Sequence, residues 1–91
     1  MADLKARSEA SPNSKTLAIK VEDFSYQTME QVNGRASMIR FELKNPDIKA
    51  GDVLVVLAGS EIQFHGLIMR VEDGWATTTD YHSLLVPDTV H

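Results

Sequence analysis

The chain has 91 residues, a formal net charge of −4, 43% hydrophobic and 24% charged residues. This is the size of one domain and an ordinary globular composition. It contains no cysteine, which excludes disulfides, thiolate metal sites and a cysteine nucleophile. No apolar run approaches the roughly 20 residues of a membrane span, and an acidic chain lacks the cation excess that favours nucleic acid.

Residues 1–15 read as a flexible N-terminal tail, and residues 16–91 as a single domain. The tail carries Asp3, Glu9, Lys5, Arg7 and Lys15, a surplus of positive charge on an otherwise acidic chain. Its opening has no apolar core of the signal-peptide kind. Ser8, Ser11, Asn13 and Ser14 bury little, and Pro12 would end any helical turn before it. Such a segment is either a mobile leader or a docking arm for a neighbouring subunit.

From Leu17 the hydrophobic period is two. Leu17, Ile19 and Val21 alternate with Ala18, Lys20 and Glu22, which predicts a half-buried strand that Phe24 and Tyr26 extend. Residues 27–32 have no clean period and read as a loop or an irregular edge. Asn33-Gly34 is a strong turn pair. Ile39, Phe41 and Leu43 then share one face of a strand that Asn45-Pro46-Asp47 stops.

Gly51-Asp52 belongs to the next turn. Residues 53–57 are continuously apolar, as in a strand covered on both faces. In residues 61–71, Ile62, Phe64, Gly66 and Ile68 fall on one parity, and the mid-strand Gly66 predicts a bulge, a bend or close approach of another backbone. Asp73-Gly74 turns the chain into a threonine-rich last segment. The expected fold is all-β: a small antiparallel β-barrel or sandwich of five to six strands.

No constellation of reactive side chains declares an enzyme. Asp80-x-His82 would put two metal-ligand types on one strand face, but leaves a zinc site short of ligands. Asp80, His82 and Ser83 are triad residue types, yet adjacency in one strand does not give the required hydrogen-bond chain. No catalytic residue, metal or cofactor is assigned. Met29, Met38 and Met69 read as core filler. Trp75 either closes one end of the barrel or offers an aromatic surface to a ligand.

Residues 33–89 show a sequence of elements: Asn33-Gly34-Arg35-Ala36-Ser37-Met38-Ile39-Arg40-Phe41, then Gly51-Asp52-Val53-Leu54-Val55, Phe64-His65-Gly66-Leu67-Ile68 and Asp80-Tyr81-His82-Ser83-Leu84-Leu85. This order resembles the N-terminal β-barrel domain of bacteriophage tail hub and baseplate proteins, and the similar barrels of contractile injection system spike proteins. The resemblance implies a non-enzymatic structural component of a phage, prophage or phage-like tail. Its partners would be copies of itself and other tail or baseplate proteins. Its place would be the virion tail, assembled in the bacterial host cytoplasm. Gly51, Phe64, Gly66 and Ile68 would be structural, and Tyr26, Met29, Trp75 and Tyr81 would make protein contacts, since aromatics and methionine suit interface cores. The competing reading is a small carbohydrate- or peptide-binding module using Trp75 and Tyr81.

Overall fold

The computed structural model describes residues 14–87. They form six strands: β1 (Thr16–Lys20), β2 (Gln27–Val32), β3 (Arg35–Glu42), β4 (Val53–Ala58), β5 (Glu61–Glu72) and β6 (Trp75–Ser83). The one helical element among the described residues is a 3-10 turn, Val21–Asp23. All six strands belong to a single sheet ordered β1-β4-β5-β6-β3-β2. The chain is all-β, as its period-two pattern indicates. The segment without a clean period is β2, an irregular edge strand.

Every ladder is antiparallel except one. β1 runs parallel to β4 over Thr16–Lys20, which corrects the expectation of antiparallel pairing throughout. Short connections forbid parallel pairing only between consecutive strands. Here β2, β3 and their loops intervene, and the chain has length enough to return in the same direction. The hairpins β2–β3 and β5–β6 close on Asn33-Gly34 (φ 54° and 77°) and Asp73-Gly74 (φ 56° and 82°). Two consecutive residues at positive φ match the right-handed twist of paired strands.

The sheet is curled. In a flat sheet β1 and β3, four places apart, would be roughly 19 Å from each other. Instead Leu17 and Ile19 of β1 line one cleft together with Phe41 of β3 and Leu43 beyond it. The enclosed core contains Ile39, Phe41, Leu54, Val56, Phe64, Ile68 and Ala76, all essentially inaccessible. The ladders set it in rows: Ile19–Val56–Phe64–Ser83, and Ile68–Thr78–Ile39. Thr78 Oγ1 has no hydrogen-bond partner among the described residues, in a row otherwise apolar.

Gly66 shows why the middle of β5 needs glycine. A Cβ there would collide with the backbone oxygen of Thr79 and lie 2.7 Å from a ring carbon of Phe64. Both the close approach and a bulge are present, because the β5–β6 register shifts between His65 and Gly66. Residues 84–86 close one end of the curl. Leu84 N–H donates to Gln63 O, Ala36 N–H to Leu85 O and the Tyr26 hydroxyl to Val86 O.

Four bulges break the simple alternation. Met29 is the extra residue of β2 against β3, and Ser37 is the extra residue of β3 one step later. Met69 on β5 and Tyr81 on β6 are likewise extra residues of their ladder. A further shift leaves Gln63 unpaired with β4 and puts Ile62 in the exposed set, out of line with Phe64, Gly66 and Ile68. An inserted residue reverses the face on which the next residues of its strand lie. Met29, Met69 and Tyr81 accordingly stand 50%, 45% and 42% exposed. The expectation that Met29 and Met69 fill the core is thereby corrected. So is the expectation that residues 53–57 are covered on both faces: Leu54 and Val56 are buried, whereas Val53, Val55 and Leu57 are half-buried.

Candidate functional site

The site is the edge of β1, which no other strand pairs with among the described residues, and the cleft beside it. What fixes that edge begins at Asp52. The residue follows Gly51, whose φ of 97° turns the loop into β4. Gly51 N–H donates to Ile68 O at 2.8 Å, and Ile68 N–H to Asp52 O at 2.9 Å, so the turn is bound to β5. The Asp52 side chain, only 3% exposed, then accepts from the backbone N–H of Lys15 (Oδ1, 2.9 Å) and of Lys49 (Oδ2, 2.9 Å).

One carboxylate thus joins the residue before β1 to the loop before β4. Val53 N–H returns a bond to Lys15 O at 2.9 Å, and Lys15 Nζ reaches Asp47 O at 3.1 Å. Lys15, assigned to the tail by sequence, is therefore part of the domain. Residues 1–13 of that tail lie outside the described residues. Asp52 is held below the ordinary carboxylate value of 3.8, chiefly by the Lys15 N–H. Burial opposes this, while the Lys49 N–H and the charges of both lysines add to it.

The cleft has a volume of about 320 Å³. Leu17, Ile19, Phe24, Phe41 and Leu43 form its apolar walls; Asp23, Glu42 and Lys44 are among its polar residues. Phe24 reaches it by packing on Phe41, ring centroids 5.3 Å apart, and on Tyr26 at 5.4 Å. A strand edge beside an apolar cleft can accept an extended segment: the backbone supplies hydrogen bonds and alternate side chains enter the cleft.

The four residues expected to make protein contacts do not gather in one place. Tyr26 packs against the core and spends its hydroxyl on Val86 O at 2.6 Å, so it closes the fold. Met29 and Trp75 do come together, around a hollow of about 270 Å³ that Arg40, Arg70 and Thr77 also line. Trp75 is half-buried with the Arg40 guanidinium 4.3 Å above its ring centroid, a cation–π arrangement outside the core cluster. It does not plug the barrel. Tyr81 lies six residues further along β6, roughly 20 Å away at strand spacing, where it packs on His65 at 5.0 Å. Trp75 and Tyr81 therefore line separate hollows and form no joint ligand site.

Phe64 and Ile68 are fully buried, Gly66 meets backbone and Gly51 turns at positive φ. Asp80, His82 and Ser83 line one hollow, but they do not share one strand face. Asp80 pairs with Gly66 in a core-facing register position, whereas His82 pairs with His65 on the opposite face, because Tyr81 is inserted between them. Ser83 is buried, with its Oγ accepting from Leu85 N–H. Among the described residues no three His, Cys, Asp or Glu gather as a metal site, and no helix is long and apolar enough to cross a membrane.

Asp52 and the β1 cleft were not singled out by sequence reasoning. The available signal was one acidic residue between a glycine and a continuous apolar run. An acidic residue at a turn beside an apolar strand needs backbone donors where the fold buries it. No family model matches the chain, and no curated protein or solved structure matches it.

Proposed function

We propose that this protein is a non-enzymatic structural component of a phage or phage-like tail or baseplate, acting through subunit–subunit assembly. One observation carries the assembly part: a small curled sheet leaves the edge of β1 unpaired among the described residues, beside an apolar cleft. An unmanaged edge is a template for another strand, and a domain of this size gains from burial against neighbours. The tail and baseplate part rests on the resemblance of residues 33–89. The partners are then further copies of the chain and other tail or baseplate proteins, in the virion tail.

Light scattering over a wide range of protein concentration tests this. A discrete dimer or ring-sized species is expected. A strict monomer at every concentration, alone and mixed with tail proteins expressed alongside it, would remove assembly as the function.

A further inference from the structure

The backbone of β1 has two sets of bonding groups. Lys15 spends its N–H on Asp52 Oδ1 and its C=O on Val53 N–H, both on the β4 side. In a parallel pair the residues that bond one neighbour alternate along the strand, so Leu17 and Ile19 also bond toward β4. The intervening Thr16, Ala18 and Lys20 turn their backbone groups to the opposite edge, where no strand pairs among the described residues. Their side chains are exposed, whereas Leu17 and Ile19 are half-buried and line the cleft.

We propose that this edge pairs with the same edge of a second copy, antiparallel and centred on Ala18. The proposal rests on the assembly reading above and names its contact. Ala18 of each copy then donates its N–H to the Ala18 C=O of the other, and Lys20 N–H of each donates to the Thr16 C=O of the other. This is the one register in which Thr16, Ala18 and Lys20 all find partners within the strand. It also sets Leu17 of each copy against Ile19 of the other, so the apolar wall of one cleft continues into the next.

Charge selects the direction. Antiparallel pairing places Lys20 opposite Thr16. It also carries Lys15, at the start of one β1, to the end of the other, where Glu22 and Asp23 follow. Parallel pairing would stand Lys15 and Lys20 beside their own copies, and neighbouring like charges destabilise a ladder. A second copy is the occupant because the strand is complementary to itself, and such a contact closes on two subunits. It covers both β1 edges and leaves outermost the β2 strands, which lose register twice against β3.

The chain has no cysteine, so introduced thiols report the contact cleanly. Full-length Thr16→Cys, Ala18→Cys and Lys20→Cys proteins each carry one at an exposed position of β1, and Glu30→Cys, exposed on β2, is the control. Under mild oxidation Ala18→Cys is expected to form a disulfide dimer with itself, and Thr16→Cys a mixed dimer with Lys20→Cys. Each should stand well above the yield of any β1 variant with Glu30→Cys, because paired strands hold facing Cα atoms about 5.5 Å apart, within disulfide range. Ala18→Pro removes an edge N–H that β4 does not use. Association by light scattering is expected to weaken roughly tenfold or more, with the thermal midpoint of the dilute protein unchanged. Should Ala18→Pro fail to fold, the cross-links decide alone. Thr16→Cys pairing with itself as readily as with Lys20→Cys would overturn the antiparallel register. Oligomers without an excess of β1 cross-links would overturn the contact and leave assembly standing, the edge then having another occupant. Monomers throughout, without cross-links, would remove both.

Discussion

The two edges of the sheet are built by different means. β1 matches β4 residue for residue across Thr16–Lys20, and a buried carboxylate fixes its start. β2 loses register twice against β3, first at Met29 and then at Ser37. Bulges twist an edge away from further pairing, a common protection of exposed strands. β1 has no such device apart from its short length and Lys20. The contrast teaches that the two ends of one sheet differ in availability: β2 is blunted, and β1 is held straight.

The harshest way to break this contrast is to remove what both edges share. Phe64 is fully buried, opposite Val56 of β4 and Ser83 of β6, in the row that ends on Ile19 of β1. Phe64→Ala should cost about 3–5 kcal/mol in urea unfolding. Amide exchange should rise in β1 and β2 together. Continued protection of β2 would show that its half of the sheet folds independently.

A smaller and more selective change is Asp52→Asn. The amide keeps at most one of the two backbone N–H partners and loses the charge, so a cost of about 1–3 kcal/mol is expected. Faster exchange should be confined to β1 and the loop before β4. The acid side gives a second readout. The folded carboxyl titrates below 3.8, so its contribution is present above that pH and disappears as pH falls through the lower folded value. Urea unfolding from pH 7 to 2.5 should show the wild type losing its advantage over Asp52→Asn below about pH 4. A gap that stays constant with pH would mean that shape, not charge, holds the edge.

Much of this fold was legible in the sequence because period and turn chemistry are local. Asn33-Gly34 and Asp73-Gly74 announce their hairpins, and the alternation around Ile39, Phe64 and Leu17 gives correct faces. The misreadings share one cause. A bulge adds a residue without a compositional mark, so Met29, Met69 and Tyr81 look like ordinary members of a parity they have left. Tyr81 also breaks the expected Asp80–His82 face. The parallel β1–β4 pair was not legible, since pairing between distant strands depends on the curl of the whole sheet. Asp52 was missed because its donors, the N–H groups of Lys15 and Lys49, belong to the backbone and leave no side-chain pattern.

A change at the entrance to β2 sharpens the comparison further. Tyr26→Phe removes the hydroxyl bond to Val86 O while keeping the ring on Phe24. A cost of about 0.5–1.5 kcal/mol is expected, with exchange rising near residues 84–86 and at the start of β2 but not in β1. Rising exchange in β1 would mean that the two edges are coupled through the closed end.

The smallest effect belongs to Met29, the residue that β2 ejects. Half-exposed at a bulge, it contributes little to the core, so Met29→Lys should change stability by no more than about 0.5 kcal/mol. It would also add charge beside Arg40 and Arg70 in the hollow they share with Trp75. The single tryptophan reports that local change by its emission. If β2 is the blunted edge, assembly measured by light scattering should be the same for Met29→Lys and wild type, because the contact is on the other side of the sheet. Loss of assembly in a variant whose unfolding is unchanged would reverse the assignment: β2, bulges included, would then be the edge a neighbour uses.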